Sequence, residues 1–312
     1  MSVEVSLREA YGQTLVELGR ENPDIVVLDA DLSKSTMTKY FASEFPDRFF
    51  DCGIAEQNMV SIAAGLAASG KVSFASTFAV FLPGRCFDQV RMSVAQPGRN
   101  VKLVATHGGI TVGEDGTSHQ SIEDLSLICS LPGFTVIVPA DAIETAQAVR
   151  AAAASFGPFY IRLCRPAWPL VNNEDYRFEP GKAVTMREGK DITVIAIGVM
   201  VAAALEAAGN LAREGIDCRV LNMPTLKPAD EAAVIKAAED TGAVVTAEEH
   251  LEHGGLGSTV ARILSRHHPV PMEFVSLKDT YAQSGKPTEL LQRYGLTADG
   301  IKQAVHAVMK RK

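Results

Sequence analysis

The sequence predicts an α/β protein: two consecutive three-layer α/β domains built on mostly parallel sheets. Short uninterrupted apolar runs such as Ile25-Val26-Val27-Leu28 read as strands buried on both faces. Helical patterns alternate with such strands over about 160 residues, the rhythm of a parallel sheet covered on both sides. That rhythm breaks between 165 and 190, where Pro166, Pro169 and Pro180 stand among charges and asparagines, and then resumes. The expected layout is a first domain over 1–165, a linker over 166–190 and a second domain over 191–312. A chain of 312 residues is long enough for two such cores.

Composition removes several classes of function. Apolar residues at 46% and charged residues at 21% suit a folded globular chain rather than a disordered one. A formal charge of −7 gives no support for a nucleic-acid groove. No apolar run reaches bilayer-spanning length, and residues 1–20 lack the signature of a secretory signal. Cys52, Cys86, Cys129, Cys164 and Cys218 are scattered without C-x-x-C spacing. They read as buried thiols of a reducing compartment, hence a cytoplasmic protein, and not as a disulfide frame or zinc site.

Taken in order, Leu7, Tyr11, Leu15 and Leu18 recur at helical intervals behind Ser6, a suitable N-cap, and Asn22-Pro23 ends that helix. The strand over 25–28 runs into the polar segment 29–35, the kind of strand end where open α/β sheets bind ligands. A helix over 38–44 and a strand over 48–51 follow. Glu56 then stands at the mouth of an apolar, small-residue helix over 59–69. An acid there is either an ordinary first-turn residue favoured by the helix dipole or a buried working group. Next come a strand over 71–76, a helix over 84–95 stopped by Pro97 and Gly98, and a strand over 101–105. The loop 107–120 holds four glycines and two histidines, poor core material and good site material. A helix over 122–129, a strand over 135–138, a helix capped by Asp141 and a strand over 159–163 complete the first half. The second half reads as strands over 192–197, 217–222, 243–247 and 272–275, with helices over 200–213, 228–239, 257–265 and 298–309. His250 and His253 read as part of a loop at a helix start, at a subunit interface rather than on a metal.

The titratable groups outside plain helix faces cluster after predicted strands: Asp31, Glu56, His107, Asp115, His119 and Arg165. Adjacent strand ends of one sheet can bring them together. No dinucleotide or Walker glycine pattern, no H-E-x-x-H and no nucleophile elbow is present. His107 and His119 lack a third metal ligand at a sensible spacing, so no metal site is expected on this chain.

Gly53-Ile54-Ala55-Glu56-Gln57-Asn58-Met59, Ser76-Thr77-Phe78, Thr106-His107, Gly113-Glu114-Asp115-Gly116 and His119-Gln120 stand in the order and near the spacing found in the C-terminal portion of transketolases, which this chain resembles over nearly its whole length. The resemblance implies a pyrimidine-binding domain followed by the terminal domain of that family. It implies that Glu56 binds the aminopyrimidine of thiamine diphosphate through a charge-assisted hydrogen bond in a dry pocket. It places Phe78 and Phe81 around that ring and Asp31 near the cofactor channel. Asp115 and His119 would meet the hydroxyl and carbonyl end of a ketose, and Arg8, Ser35, His107 and Arg165 would hold the sugar phosphate. At Leu82-Pro83-Gly84-Arg85 the chain departs from the family by one inserted residue. The diphosphate-binding domain of full-length transketolases is not in this sequence. The resemblance therefore implies the C-terminal subunit of a split enzyme, active only with an N-terminal subunit that holds Mg2+ or Ca2+, in a self-dimerised α2β2 assembly. A deoxyxylulose phosphate synthase, the β subunit of a 2-oxo acid dehydrogenase and a non-catalytic scaffold remain the rival readings.

Overall fold

The computed structural model describes residues 3–312; the expected start of the first domain at residue 1 lies outside them. β1 (Glu4–Ser6) leads into α1 (Leu7–Glu21), capped by the Ser6 hydroxyl, which accepts from the Glu9 N–H. Its stripe of Leu7, Tyr11, Leu15 and Leu18 is buried. β2 (Ile25–Asp29), α2 (Ser33–Thr36), α3 (Lys39–Glu44) and β3 (Phe49–Asp51) follow. Next are α4 (Glu56–Ala68), β4 (Val72–Phe78), α5 (Leu82–Gln89) and, after a π-helical turn at Val90–Ala95, β5 (Val101–Thr106). A 3-10 stretch, Ile110–Asp115, precedes α6 (Asp124–Cys129), β6 (Thr135–Ile137), α7 (Ala142–Ala154) and β7 (Phe159–Arg162). Lys102 is a charged residue inside the apolar β5; its ammonium donates to the Ser155 and Gly157 carbonyls at 2.7 Å each, which satisfies it in the core.

The chain continues through β8 (Ala167–Pro169), β9 (Val184–Arg187), β10 (Ile192–Ala196), α8 (Met200–Arg213), β11 (Cys218–Asn222) and β12 (Thr225–Lys227). It closes with α9 (Glu231–Thr241), β13 (Val244–Leu251), α10 (Leu256–His267), β14 (Met272–Leu277), α11 (Pro287–Arg293) and α12 (Ala298–Met309). The larger sheet has the order β12-β6-β7-β5-β4-β2-β3 and is parallel except for β12. The second sheet has the order β14-β13-β10-β11-β9, with only β9 antiparallel.

The sequence reading and the structure differ in places. The span 166–190, read as a linker, carries β8, which pairs with β1, and β9, which edges the second sheet. The helix read over 84–95 starts at Leu82; Pro83 fits its first turn, where a missing N–H costs nothing. β1, β12 and α11 have no counterpart in the reading because pieces of 3 to 7 residues hold too little periodic signal. His250 is not in a loop: it is a fully buried residue of β13, while His253 lies in the turn before α10. The run Val244–Leu251 pairs with β14, and tertiary burial overrides the polar look of Glu248-Glu249-His250. All five cysteines are unpaired, but Cys52, just past β3, and Cys129, the last residue of α6, are only half-buried. Among the described residues no helix is long and apolar enough to cross a membrane.

Candidate active site

The order β7-β5-β4-β2-β3 sets five C-terminal strand ends side by side, and the candidate residues collect along that edge. Phe78 ends β4 directly beside Thr106, the last residue of β5. His107 follows in the left-handed region at φ 61° and turns its ring onto Phe78, centroid to centroid 3.7 Å. Phe81 stacks on Phe78 at 5.6 Å, and His119 meets the edge of Phe81 at 5.4 Å. Four rings thus form one continuous wall.

Glu56 enters from the other side as the first residue of α4 and is 5% exposed. Its Oε1 accepts from Arg85 Nη1 at 2.7 Å. The same guanidinium lies 3.9 Å above the Phe81 ring. Arg85 therefore bridges the acid and the aromatic wall. A cleft of about 570 Å3 opens here, lined by Ile54, Ala55, Glu56, Gln57, Asn58 and Arg85.

His107 Nδ1 shares a hydrogen bond of 2.8 Å with the Thr106 hydroxyl. Burial, with Arg8 and Arg165 adding their charge, pushes its pKa down to about 3, so the ring is neutral. His119 Nδ1 lies 2.9 Å from the Ser118 hydroxyl, which leaves Nε2 for another partner. Arg8 donates to the Arg165 carbonyl at 3.0 Å and to the Ser35 carbonyl at 2.6 Å. Ser35 thus meets Arg8 through its backbone. Arg165 donates to the Val112 carbonyl and sits 3.4 Å from Asp115 Oδ2, so these two candidates face each other. Asp31 is exposed at the end of β2 with φ 62°, its N–H donating to Asp51 Oδ1 at 3.0 Å. Next to it Asp29 is structural: fully buried, it accepts from Leu32 N–H and from the Thr36 and Thr38 hydroxyls.

Sequence reasoning missed Arg85, which it met only as the last residue of an apparent insertion. A basic residue one helical turn after an aromatic pair was the available signal. It also missed Glu249, whose carboxylate reaches the loop 107–120 from the second sheet.

The wall and the acid fit an aminopyrimidine. Arg85 already presents a flat, nitrogen-rich cation to Glu56 and to a Phe81 face at once, the same pair of contacts that such a ring would make. For a metal ion, no group of three or more His, Cys, Asp or Glu stands in ligating reach among the described residues.

Residues 3–169 match the transketolase pyrimidine-binding domain and residues 181–301 the transketolase C-terminal domain. A solved structure described as a split gene transketolase, inactive β4 tetramer, superposes with a TM-score of 0.91 at 52% identity, covering 99% of both chains. A putative transketolase C-terminal section of Methanocaldococcus jannaschii is 44% identical over 98% of this chain and 96% of its own length. A 6-deoxy-6-sulfo-D-fructose transketolase subunit of a Clostridium species is also 44% identical, over 98% of this chain and 95% of its own. With both domain matches and relatives of this similarity behind the acid and its aromatic wall, the chain belongs to the transketolase family.

Proposed function

We propose that the chain is the C-terminal subunit of a two-chain transketolase, moving a two-carbon ketol unit from a ketose phosphate to an aldose phosphate. The observation that carries the reading is the shielded Glu56 carboxylate beside the Phe78–Phe81 stack, with His107 and His119 on the same wall. Thiamine diphosphate, when bound, supplies the carbon nucleophile for the transfer. Glu56 holds a proton against the pyrimidine nitrogen, in a recess that keeps water from that hydrogen bond. Phe78 and Phe81 flank the ring. Arg85 must leave Glu56 to admit it. His119 Nε2 hydrogen-bonds the oxygen atoms at the reacting end of the sugar, with Asp115 beside it. His107, being neutral, serves as a hydrogen-bonding partner for the substrate, while Arg8 and Arg165 supply the positive charge that an anionic sugar needs. Asp31 borders the channel.

Support for a partner chain comes from the outer face of α4. Ile62 is exposed there, the Gly65 surface is open, and Ile54 is exposed in the turn just before the helix, so an apolar strip borders the cleft. In this reading an N-terminal subunit covers that strip, grips the diphosphate and holds Mg2+ or Ca2+ within an α2β2 assembly. The relatives described as a subunit, a section and a split gene product are consistent with such a division of labour. A sulfonated sugar offers Arg8 and Arg165 the same kind of tetrahedral anion as a phosphate.

The test is complementation. The pure chain should be inactive, and ketol transfer should appear on co-expression with a chain carrying the diphosphate-binding domain. Assaying fructose 6-phosphate beside its 6-sulfo counterpart sorts the anion preference. Pyruvate decarboxylation by the mixture, without ketol transfer, would move the assignment to the rival thiamine enzymes.

A further inference from the structure

The loop 107–120 is held by the second half of the chain at nearly every turn. The Thr111 N–H donates to Glu249 Oε1 at 2.6 Å, and the Thr111 hydroxyl donates to Oε2 at 3.3 Å. Farther along, the Thr117 hydroxyl donates to the Ala282 carbonyl at 2.8 Å and Gln120 Nε2 to the Gln283 carbonyl at 3.0 Å. Arg162, at the end of β7, donates from Nη2 to the Ser121 and Glu249 carbonyls, both at 3.0 Å, and so ties the loop's exit to β13.

The loop's glycines record the same contacts. A Cβ on Gly109 would come within 2.1 Å of the Glu249 carboxyl carbon, and one on Gly116 within 2.3 Å of Ser284 Oγ. A Cβ on Gly113 would lie 3.1 Å from Pro287, and one on Gly108 2.5 Å from Arg162 Nε. These glycines give room to protein, not to ligand. Apolar packing alone would suffice to dock two α/β units. Here a carboxylate is buried to 3% exposure instead, at the cost of desolvation, and it is aimed at a backbone N–H of the substrate loop.

We propose that the second α/β unit is a jig for the substrate-binding loop and that Glu249 is its positioning residue. By fixing Thr111, Glu249 sets the 3-10 stretch that ends in Asp115; the Ala282–Gln283 carbonyls fix the far side and with it His119. Burial pushes the Glu249 pKa up to about 7, opposed by Arg162 and the Thr111 donors. The inference concerns the sugar end of the site and rests, for its substrate, on the transketolase reading. The proposed cofactor contacts Glu56, Phe78 and Phe81 sit at the start of α4, the end of β4 and the turn before α5, outside the jig.

Glu249→Ala tests it, in the complex with the partner subunit. The Michaelis constant for the ketose phosphate should rise about ten-fold or more, as expected when a binding group is displaced by a fraction of an ångström. The thiamine diphosphate concentration for half-saturation should stay within about two-fold. Glu249→Gln retains one acceptor for the Thr111 N–H and can donate to its hydroxyl, so it should restore most of the loss. Hydrogen exchange on the pure full-length chain gives a readout free of turnover: peptides within 107–120 should exchange faster in Glu249→Ala, while those of α4 should not. If Glu249→Ala fails to fold, Thr117→Val removes a contact at the loop surface and should move both readouts in the same direction. Unchanged exchange in the loop, or an unchanged Michaelis constant beside faster exchange, overturns the proposal. A complex with no ketol transfer but with loop exchange altered as expected would instead overturn the transketolase reading and leave the jig standing.

Discussion

Glu56→Gln keeps side-chain volume and removes the charge, and the structure separates its two consequences. Among the described residues the charged group paired with Glu56 is Arg85, at 2.7 Å, and the Arg85 side chain is 48% exposed. Solvent screens such a pair, which then contributes about 0.5–1 kcal/mol. Removing the charge also relieves the desolvation of a carboxylate that is only 5% exposed. The two effects oppose, so the pure chain should change in stability by no more than about 1 kcal/mol, a Tm shift of about 3 °C or less. Catalysis should respond far more. On the proposed reading, Glu56→Gln also loses a charge-assisted hydrogen bond to the pyrimidine, which should lower kcat by about 10^3-fold or more, some 4 kcal/mol of barrier. The assays are urea unfolding of the pure chain and coupled ketol transfer by the reconstituted complex. Retention of more than about a tenth of kcat would refute the assignment. A stability loss above about 3 kcal/mol would show instead that the carboxylate is a structural ion.

Three further outcomes follow from the same geometry. Arg8→Lys loses the second donor arm that spans the Arg165 and Ser35 carbonyls; the Michaelis constant for the sugar phosphate should rise about ten-fold with cofactor binding unchanged. His107, pushed down to about 3, stays neutral in the native state while its unfolded counterpart protonates near pH 6.5. Below pH 6.5 the unfolded chain therefore binds the extra proton, and the native state loses about 1.4 kcal/mol per pH unit on this account until about pH 3. Because asparagine tolerates the left-handed backbone, His107→Asn should have a stability profile shallower by that slope between pH 6 and 5, and equal slopes in urea titrations would contradict the neutral ring. Gly109→Ala, at φ 81° and with its new carbon driven onto Glu249, should cost about 2 kcal/mol or more in unfolding experiments on the pure chain; a neutral result would mean that the two units do not pack so closely.

Much of the architecture was legible because buried parallel strands advertise themselves. Ile25-Val26-Val27-Leu28 is a continuous apolar run, and Ile192–Ala196 is broken only by Thr193, each between helical patterns. Glu56 was legible for a different reason: its place at the mouth of a small-residue helix and the motif around it coincide. What escaped was tertiary. The Arg85 guanidinium reaches Glu56 across 29 positions, and nothing local announces it. Glycines 108, 109, 113 and 116 suggest an open ligand loop in sequence, yet each faces a side chain packed against it. Glu248, Glu249 and His250 read as a loop at a helix start, at a subunit interface, but the strand they belong to lies between β10 and β14. β9 follows the prolines that argue for a tether, and it pairs as the antiparallel edge strand of the second sheet.

β12 carries a practical lesson. Though it comes after β9, β10 and β11 of the second sheet, it hydrogen-bonds to β6 and seals the rim of the earlier sheet. A fragment stopped near residue 169 would present β6 with bare amides and carbonyls, an invitation to sticky edge-to-edge pairing with other copies. Anyone wishing to express the front half alone must therefore graft on the Thr225–Lys227 strip, or blunt the naked rim with a charge.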